Sequence, residues 1–162
     1  MPDAEPVTTE PVTTEPVPTG LHWAHPRFLT CIIAGGLLGT LGRYELELAW
    51  PTPAGHFPLV TFTINTSGAF LLGFLLALLG GSRRPSPYAR PFIGTGILGG
   101  WTTYSTLVVE ATTLGKGGQL GLAAAYLAAT LAAGIAAVAL GISLGPFGLR
   151  RTAAALTSDP LE

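Results

Sequence analysis

The run Gly94-Thr95-Gly96-Ile97-Leu98-Gly99-Gly100-Trp101-Thr102-Thr103-Tyr104-Ser105-Thr106 holds the densest chemistry in the chain. Glycine costs a helix about 1 kcal/mol relative to alanine, and Ser and Thr compete with the helix for backbone partners. The stretch therefore predicts a broken helix inside an otherwise apolar segment. Carbonyls released by such a break can ligate a cation, as half-helix ends do in transporters, and the hydroxyls can donate to an anion. A merely kinked helix with hydroxyl back-bonding is the plainer alternative. The density of breakers favours an ion site, because non-helical backbone at membrane depth is tolerated only inside protein or beside a watery cavity.

Other polar residues are few and stand out against their surroundings. The second apolar stretch carries Thr61, Asn65, Thr66 and Ser67. An amide left unpaired in hydrocarbon costs several kcal/mol, so Asn65 either pins one helix to another or lines a polar path. In the fourth stretch Ala125, Ala129, Ala133, Ala137 and Gly141 repeat every four residues, a pattern that lets helices approach closely in lipid. Tyr126, Thr130 and Gly134 follow one residue on, so two hydroxyls line up beside that face, either on neighbouring backbone or along a path. Arg43 follows the close-packing glycines Gly35, Gly36, Gly39 and Gly42. It either snorkels to an interface or stands as a positive charge at a pore mouth. Glu110 is the one acid in the third stretch.

These residues need elements that cross a membrane. Only 10% of side chains are charged and 48% are hydrophobic, against roughly 25% charged in soluble domains. Between residues 21 and 149 there are nine charges, too few to cover a water-soluble globule. Four apolar stretches, about 28–50, 57–80, 91–114 and 119–144, each reach the ~20 residues that a ~30 Å hydrocarbon core requires. Connections at 51–56, 81–90 and 115–118 are short, so neighbouring helices run antiparallel. The expected fold is an all-α membrane protein, a bundle of four transmembrane helices with the third broken at its centre. Residues 1–20 repeat EPVTT and read as a disordered acidic arm. Residues 21–149 read as a four-helix transmembrane domain, and 150–162 as a cytoplasmic tail.

Several classes are excluded by the same arithmetic. A net charge of −1 gives no basic field for nucleic acid, and Cys31 has no intrachain partner for a disulfide, so it reads as a buried inert thiol. His22, His25 and His56 flank the spans without metal-ligand spacing, which argues against an enzyme.

The four-span layout, Gly39 through Arg43, Thr61-x-x-x-Asn65-x-x-Gly68, and Gly99-Gly100-x-Thr102-Thr103-Tyr104-Ser105-Thr106 together resemble the Fluc/CrcB family of fluoride channels over roughly residues 28–145. The resemblance implies passive fluoride export across the plasma membrane by an antiparallel, inverted dimer with two pores. It also implies a structural sodium ion held by the backbone carbonyls of Gly99 and Thr102. By position, Asn65 is the pore amide, Thr61, Ser105 and Thr106 belong to the pore, and Tyr126 and Thr130 fall on the polar track. Arg43 matches the first-helix arginine. Tyr104 and Leu107 stand where the family has two phenylalanines, and Leu107 offers no aromatic edge.

The expected partners are thus fluoride, membrane lipid and a homologous four-helix subunit in the opposite orientation. That partner is either a second copy or a differing subunit. Arg27, Arg83, Arg84, Arg90, Arg150 and Arg151 flank one side against Arg43 and Lys116 on the other, a bias that favours a differing partner. A small proton-coupled multidrug or cation transporter using Glu110 and a non-conducting scaffold are the competing readings. The positive-inside rule puts both termini in the cytoplasm. A C-terminal tag is therefore expected to be shielded from membrane-impermeant reagents in intact cells, and equal inward and outward populations would instead mark a dual-topology chain.

Overall fold

A computed structural model describes residues 26–81 and 86–145; the acidic arm and the tail assigned above lie outside the described residues. Helix α1 spans Pro26–Ala49. Proline is well placed at such a start, where its missing N–H is not needed, and Pro51 prevents continuation at the other end. Helix α2 covers Leu59–Gly81. Helix α3 begins as a π-helical stretch, Arg90–Leu98, and continues as α-helix over Gly99–Trp101. After a break, α4 runs Ser105–Lys116 and α5 runs Leu120–Leu144. No strand occurs among the described residues. Turns at Gly55 and Gly118 use φ of +75° and +81°, conformations that a side chain rarely adopts.

The helices associate as two close pairs, α1 with α3 and α2 with α5, and α4 packs on α5. Glycine makes both approaches possible. A Cβ at Gly35 would land on the Phe92 carbonyl, and one at Gly39 on the Ile97 carbonyl. In the second pair, Gly73 faces the Val138 carbonyl and Gly141 the Phe70 carbonyl with the same lack of room. Without a hydrophobic force between helices in lipid, close backbone packing is what holds them.

Much of the exposed helix surface is apolar. Ile33, Leu37, Leu48, Leu120, Leu131 and Ile135 are all exposed. Helices α2 and α5 are long and apolar enough to cross a membrane, with mean hydropathy 1.8 and 2.2 over Leu59–Gly80 and Leu120–Leu144.

Two expectations change in detail. The unwound stretch is not the glycine run, because Gly94 to Gly100 are helical and the chain leaves the helix at Thr102 (φ −76°, ψ 155°). Those glycines serve packing: Gly96 abuts Gly35, and Gly100 abuts the Gly36 carbonyl. In α5 the buried residues are Ala123, Tyr126, Thr130, Ala137 and Gly141, while Ala125 is exposed. The small-residue stripe is thus the packing face only in the second half of the helix. In the first half the two hydroxyl residues occupy it.

The pair geometry sets up a direct comparison. Gly39→Ala should lower stability by about 1–3 kcal/mol or more, the usual range for overpacking, because backbone has nowhere to retreat. Gly36→Ala, whose Cβ would meet nothing within 4 Å, should be near neutral. Thermal unfolding in detergent checks both.

Candidate functional site

The break between α3 and α4 is held from three directions. From α2, Asn65 takes both backbone groups of Thr103: its Nδ2 donates to the Thr103 carbonyl at 3.0 Å and its Oδ1 accepts the Thr103 N–H at 2.9 Å. From α1, Arg43 donates through Nε to the Gly100 carbonyl at 3.2 Å, and its other end pairs with Glu47 at 3.1 Å. Trp101, at the end of α3, donates Nε1 to Ser67 on α2 at 3.0 Å, and its ring fills the space beside Gly42. The start of α4 is capped locally, since Thr103 Oγ1 accepts the Thr106 N–H at 3.2 Å and lies within 3.3 Å of Ser105 Oγ.

This clamp changes the carbonyls around it. Thr103 N–H donates to Asn65 rather than to the carbonyl of Gly99, four residues back. Thr102 is extended, which turns its carbonyl away from the helix axis, while its hydroxyl and N–H both donate to Leu98. The backbone oxygens of Gly99 and Thr102 are therefore free of helical partners, and uncharged oxygen ligands suit a hard monovalent cation such as sodium. A Cβ on Gly99 would meet nothing in this chain, so bulk there does not disturb the break from within one subunit.

Beside the break lies an open groove of about 750 Å³. Its lining includes Asn65, Thr102, Thr103, Tyr104, Leu107 and Thr130 among leucines and glycines. Asn65 retains one amide proton after its two bonds to Thr103. Tyr104 is 78% exposed, so its ring stands at the surface of the chain. Thr130 Oγ1 donates to the Tyr126 carbonyl at 2.8 Å, ordinary helical back-bonding.

A second polar cluster lies along the same helices. The Thr61 hydroxyl donates to Glu110 Oε1 at 2.9 Å, and the Tyr126 hydroxyl donates to Glu110 Oε2 at 2.7 Å. Thr61 is 1% exposed and Tyr126 is 0%. Two buried donors from α2 and α5 thus converge on one carboxyl group from α4.

The structure brings the expected residues together as two neighbouring groups. Asn65, Tyr104, Leu107 and Thr130 share the groove with Gly99 and Thr102, while Thr61 and Tyr126 meet at Glu110; Ser105 and Thr106 belong to the cap of α4. Arg43 does not extend to an interface: it holds the break, with its charge paired. Reading the residues missed Thr103 and Trp101 as clamp members and placed Glu110 only in a rival transporter. The signal for Glu110 was present, since Thr61, Glu110 and Tyr126 lie towards the same end of three consecutive antiparallel spans. Among the described residues no group of three or more His, Cys, Asp or Glu could hold a metal.

The family model described as CrcB-like protein, Camphor Resistance (CrcB), matches residues 30–142. A protein of Streptomyces avermitilis named fluoride-specific ion channel FluC 3 is 43% identical over 123 residues, covering 76% of this chain and 60% of that protein. The chain thus spans less than two thirds of that relative's length. A Nocardia farcinica protein, fluoride-specific ion channel FluC 2, is 44% identical over 116 residues, covering 72% of this chain and 83% of the relative. The fluoride-specific ion channel FluC of Chlorobium luteolum is 41% identical over 118 residues, covering 73% and 92%.

The clamp makes a quantitative demand on Asn65. Asn65→Ala strands the N–H and carbonyl of Thr103, and each unpaired buried group costs about 1–3 kcal/mol. Trp101→Phe loses one hydrogen bond, worth about 1 kcal/mol. Melting of the purified protein should rank Asn65→Ala well below Trp101→Phe. Equal melting points would mean that the Asn65 bonds do not hold the break.

Proposed function

Because this chain belongs to the CrcB-like family, and is therefore a membrane protein of a channel family rather than an enzyme, we propose that it is a subunit of a fluoride-selective channel that lowers cytoplasmic fluoride by passive export. The observation that carries this reading is the convergence of the Thr61 and Tyr126 hydroxyls on Glu110. Fluoride is small and strongly hydrated, so a path must replace water with fixed donors. Two hydroxyls aimed from opposite helices at one anionic position are such donors. The remaining amide proton of Asn65 continues the line at the groove.

Glu110 has a role in this scheme. Fluoride moving along the line competes with the carboxylate for the same two hydroxyls. The carboxylate keeps the donors organised, and its like charge prevents the ion from binding so tightly that it stops, the balance that conduction requires. In the proton-coupled cation reading the same carboxylate must take up a proton or cation in competition with the hydrogen bonds that each of its oxygens accepts from a hydroxyl.

The sodium reading rests on chemistry the break supplies. The carbonyls of Gly99 and Thr102 would hold the ion, which would give a partner to oxygens that the Asn65 clamp leaves without a helical hydrogen bond. Its role would be structural, with no step of permeation passing through it. The open space at Gly99 and the groove beside it suit a second subunit of the same architecture, oppositely oriented, on this face. The charge bias of the flanking residues favours a differing homologue over a second copy, with four spans in each subunit and both termini of this one in the cytoplasm.

Purified protein in liposomes loaded with potassium fluoride tests the proposal. With valinomycin present, a fluoride electrode should record rapid release that a proton gradient does not change, while chloride stays inside. Release is expected to be strong when the homologue is co-expressed and weak from the chain alone. Chloride release at a similar rate, or release that tracks the proton gradient, would replace the channel reading.

A further inference from the structure

The Thr61–Glu110–Tyr126 cluster lies near the end of the bundle where residues 50–58 and the turn before α5 meet. Gly55, at φ +75°, stands against the Gln119 side chain. The connection is built rather than slack: His56 N–H donates to the Pro53 carbonyl at 3.2 Å, Leu59 N–H to Phe57 at 2.8 Å and Phe62 N–H to Pro58 at 3.0 Å. Pro58 itself is fully buried. What this loop delivers is the ring of Phe57. Its centroid lies 5.2 Å from that of Tyr126 with the planes 81° apart, and 5.6 Å from Phe62 at 69°.

Tyr126 is completely buried, so the position of its hydroxyl is decided by what walls the ring. A phenol pivots about its side-chain torsions, and a tilt at the ring carries the oxygen away from its acceptor. Productive constellations must be held within about 0.5 Å and 10–20° by neighbours that lock the side chain. The perpendicular contact with Phe57 supplies such a lock, in the edge-to-face arrangement that aromatic pairs prefer.

We infer that Phe57 is a positioning residue of the anion path: its ring fixes the Tyr126 phenol on Glu110 and closes the loop end of the polar line. The inference rests on the fluoride-channel reading for its function, and on the Phe57–Tyr126 contact for its mechanism. Phe57 touches no ion itself. It acts through the aim of another residue's hydroxyl.

The test is a double-mutant cycle in fluoride efflux. Phe57→Leu keeps an apolar side chain and removes the ring, and it should slow fluoride release by about tenfold, the upper order for one aromatic pair. Phe57→Tyr keeps the ring and should restore release to nearly the rate of the unmodified chain. In a Tyr126→Phe background there is no hydroxyl left to aim, so Phe57→Leu should then change the rate by no more than about twofold. An equal slowing in both backgrounds would show that Phe57 only fills space and would overturn the inference, as would normal flux from Phe57→Leu. If the unmodified chain, with its partner, carries no fluoride, it is the channel reading that falls. The same cycle read in melting temperature still decides the contact: non-additive shifts support positioning, and additive shifts overturn it.

Discussion

The pair of hydrogen bonds between Asn65 and Thr103 is the constraint on which the rest depends. A helix that stops in mid-span exposes an amide and a carbonyl where no bulk water can satisfy them. One side-chain amide has both the acceptor and the donor needed, at the right separation, and Asn65 uses them on a single residue. The direct packing between α1 and α2 is slight, so the break also joins the two helix pairs. Arg43 reaches it from one pair, Asn65 and Ser67 from the other. Loosening the clamp would free the break and the register of both pairs at once.

Close packing in this chain follows from the solvent it is built for. Apolar side chains gain little by leaving lipid for protein, so the core is small and many leucines face outward. Contact is made by backbone on backbone, at Gly35 and Gly39 for one pair and at Gly73 and Gly141 for the other. The same logic separates glycines that are filled from glycines that are open. Gly99 and Gly134 line the groove with nothing within 4 Å of an added Cβ. Their freedom belongs to the surface of the chain, not to its interior.

Charge is handled with equal economy. Arg43 is paired with Glu47 and donates a further N–H to the Gly100 carbonyl, so it holds the fold at the break. Glu110 is the converse, an acid held by neutral hydroxyls and, among the described residues, by no basic residue. Polar groups at membrane depth are costly and persist where they pair or line a pathway. Arg43 and Glu110 are both paired, the first with Glu47 and a carbonyl and the second with two hydroxyls; in the proposed function the Glu110 cluster also lines the path. Phe57 packs on the Tyr126 ring of that cluster from the connection between α1 and α2.

The sequence by itself determined the class, the spans and the presence of a break. Apolar length and scarce charge leave few alternatives, and the observed α2 and α5 fall within two residues of their expected ends. It also singled out Asn65, Thr61, Tyr126 and Thr130, because a polar side chain in an apolar stretch is conspicuous whatever its purpose. Purpose was decided only in three dimensions. Whether Asn65 pins a helix or faces a path depends on which backbone lies opposite it, and Thr103 is 38 residues away. Glu110 joins Thr61 across 49 residues and Tyr126 across 16, separations that no local pattern encodes. The position of the break moved for the same reason. Glycine propensity marks where a helix is weak, but π-helical winding and contact with α1 kept the glycines helical, and the chain opened instead at Thr102 and Thr103, where a partner on another helix could satisfy the backbone.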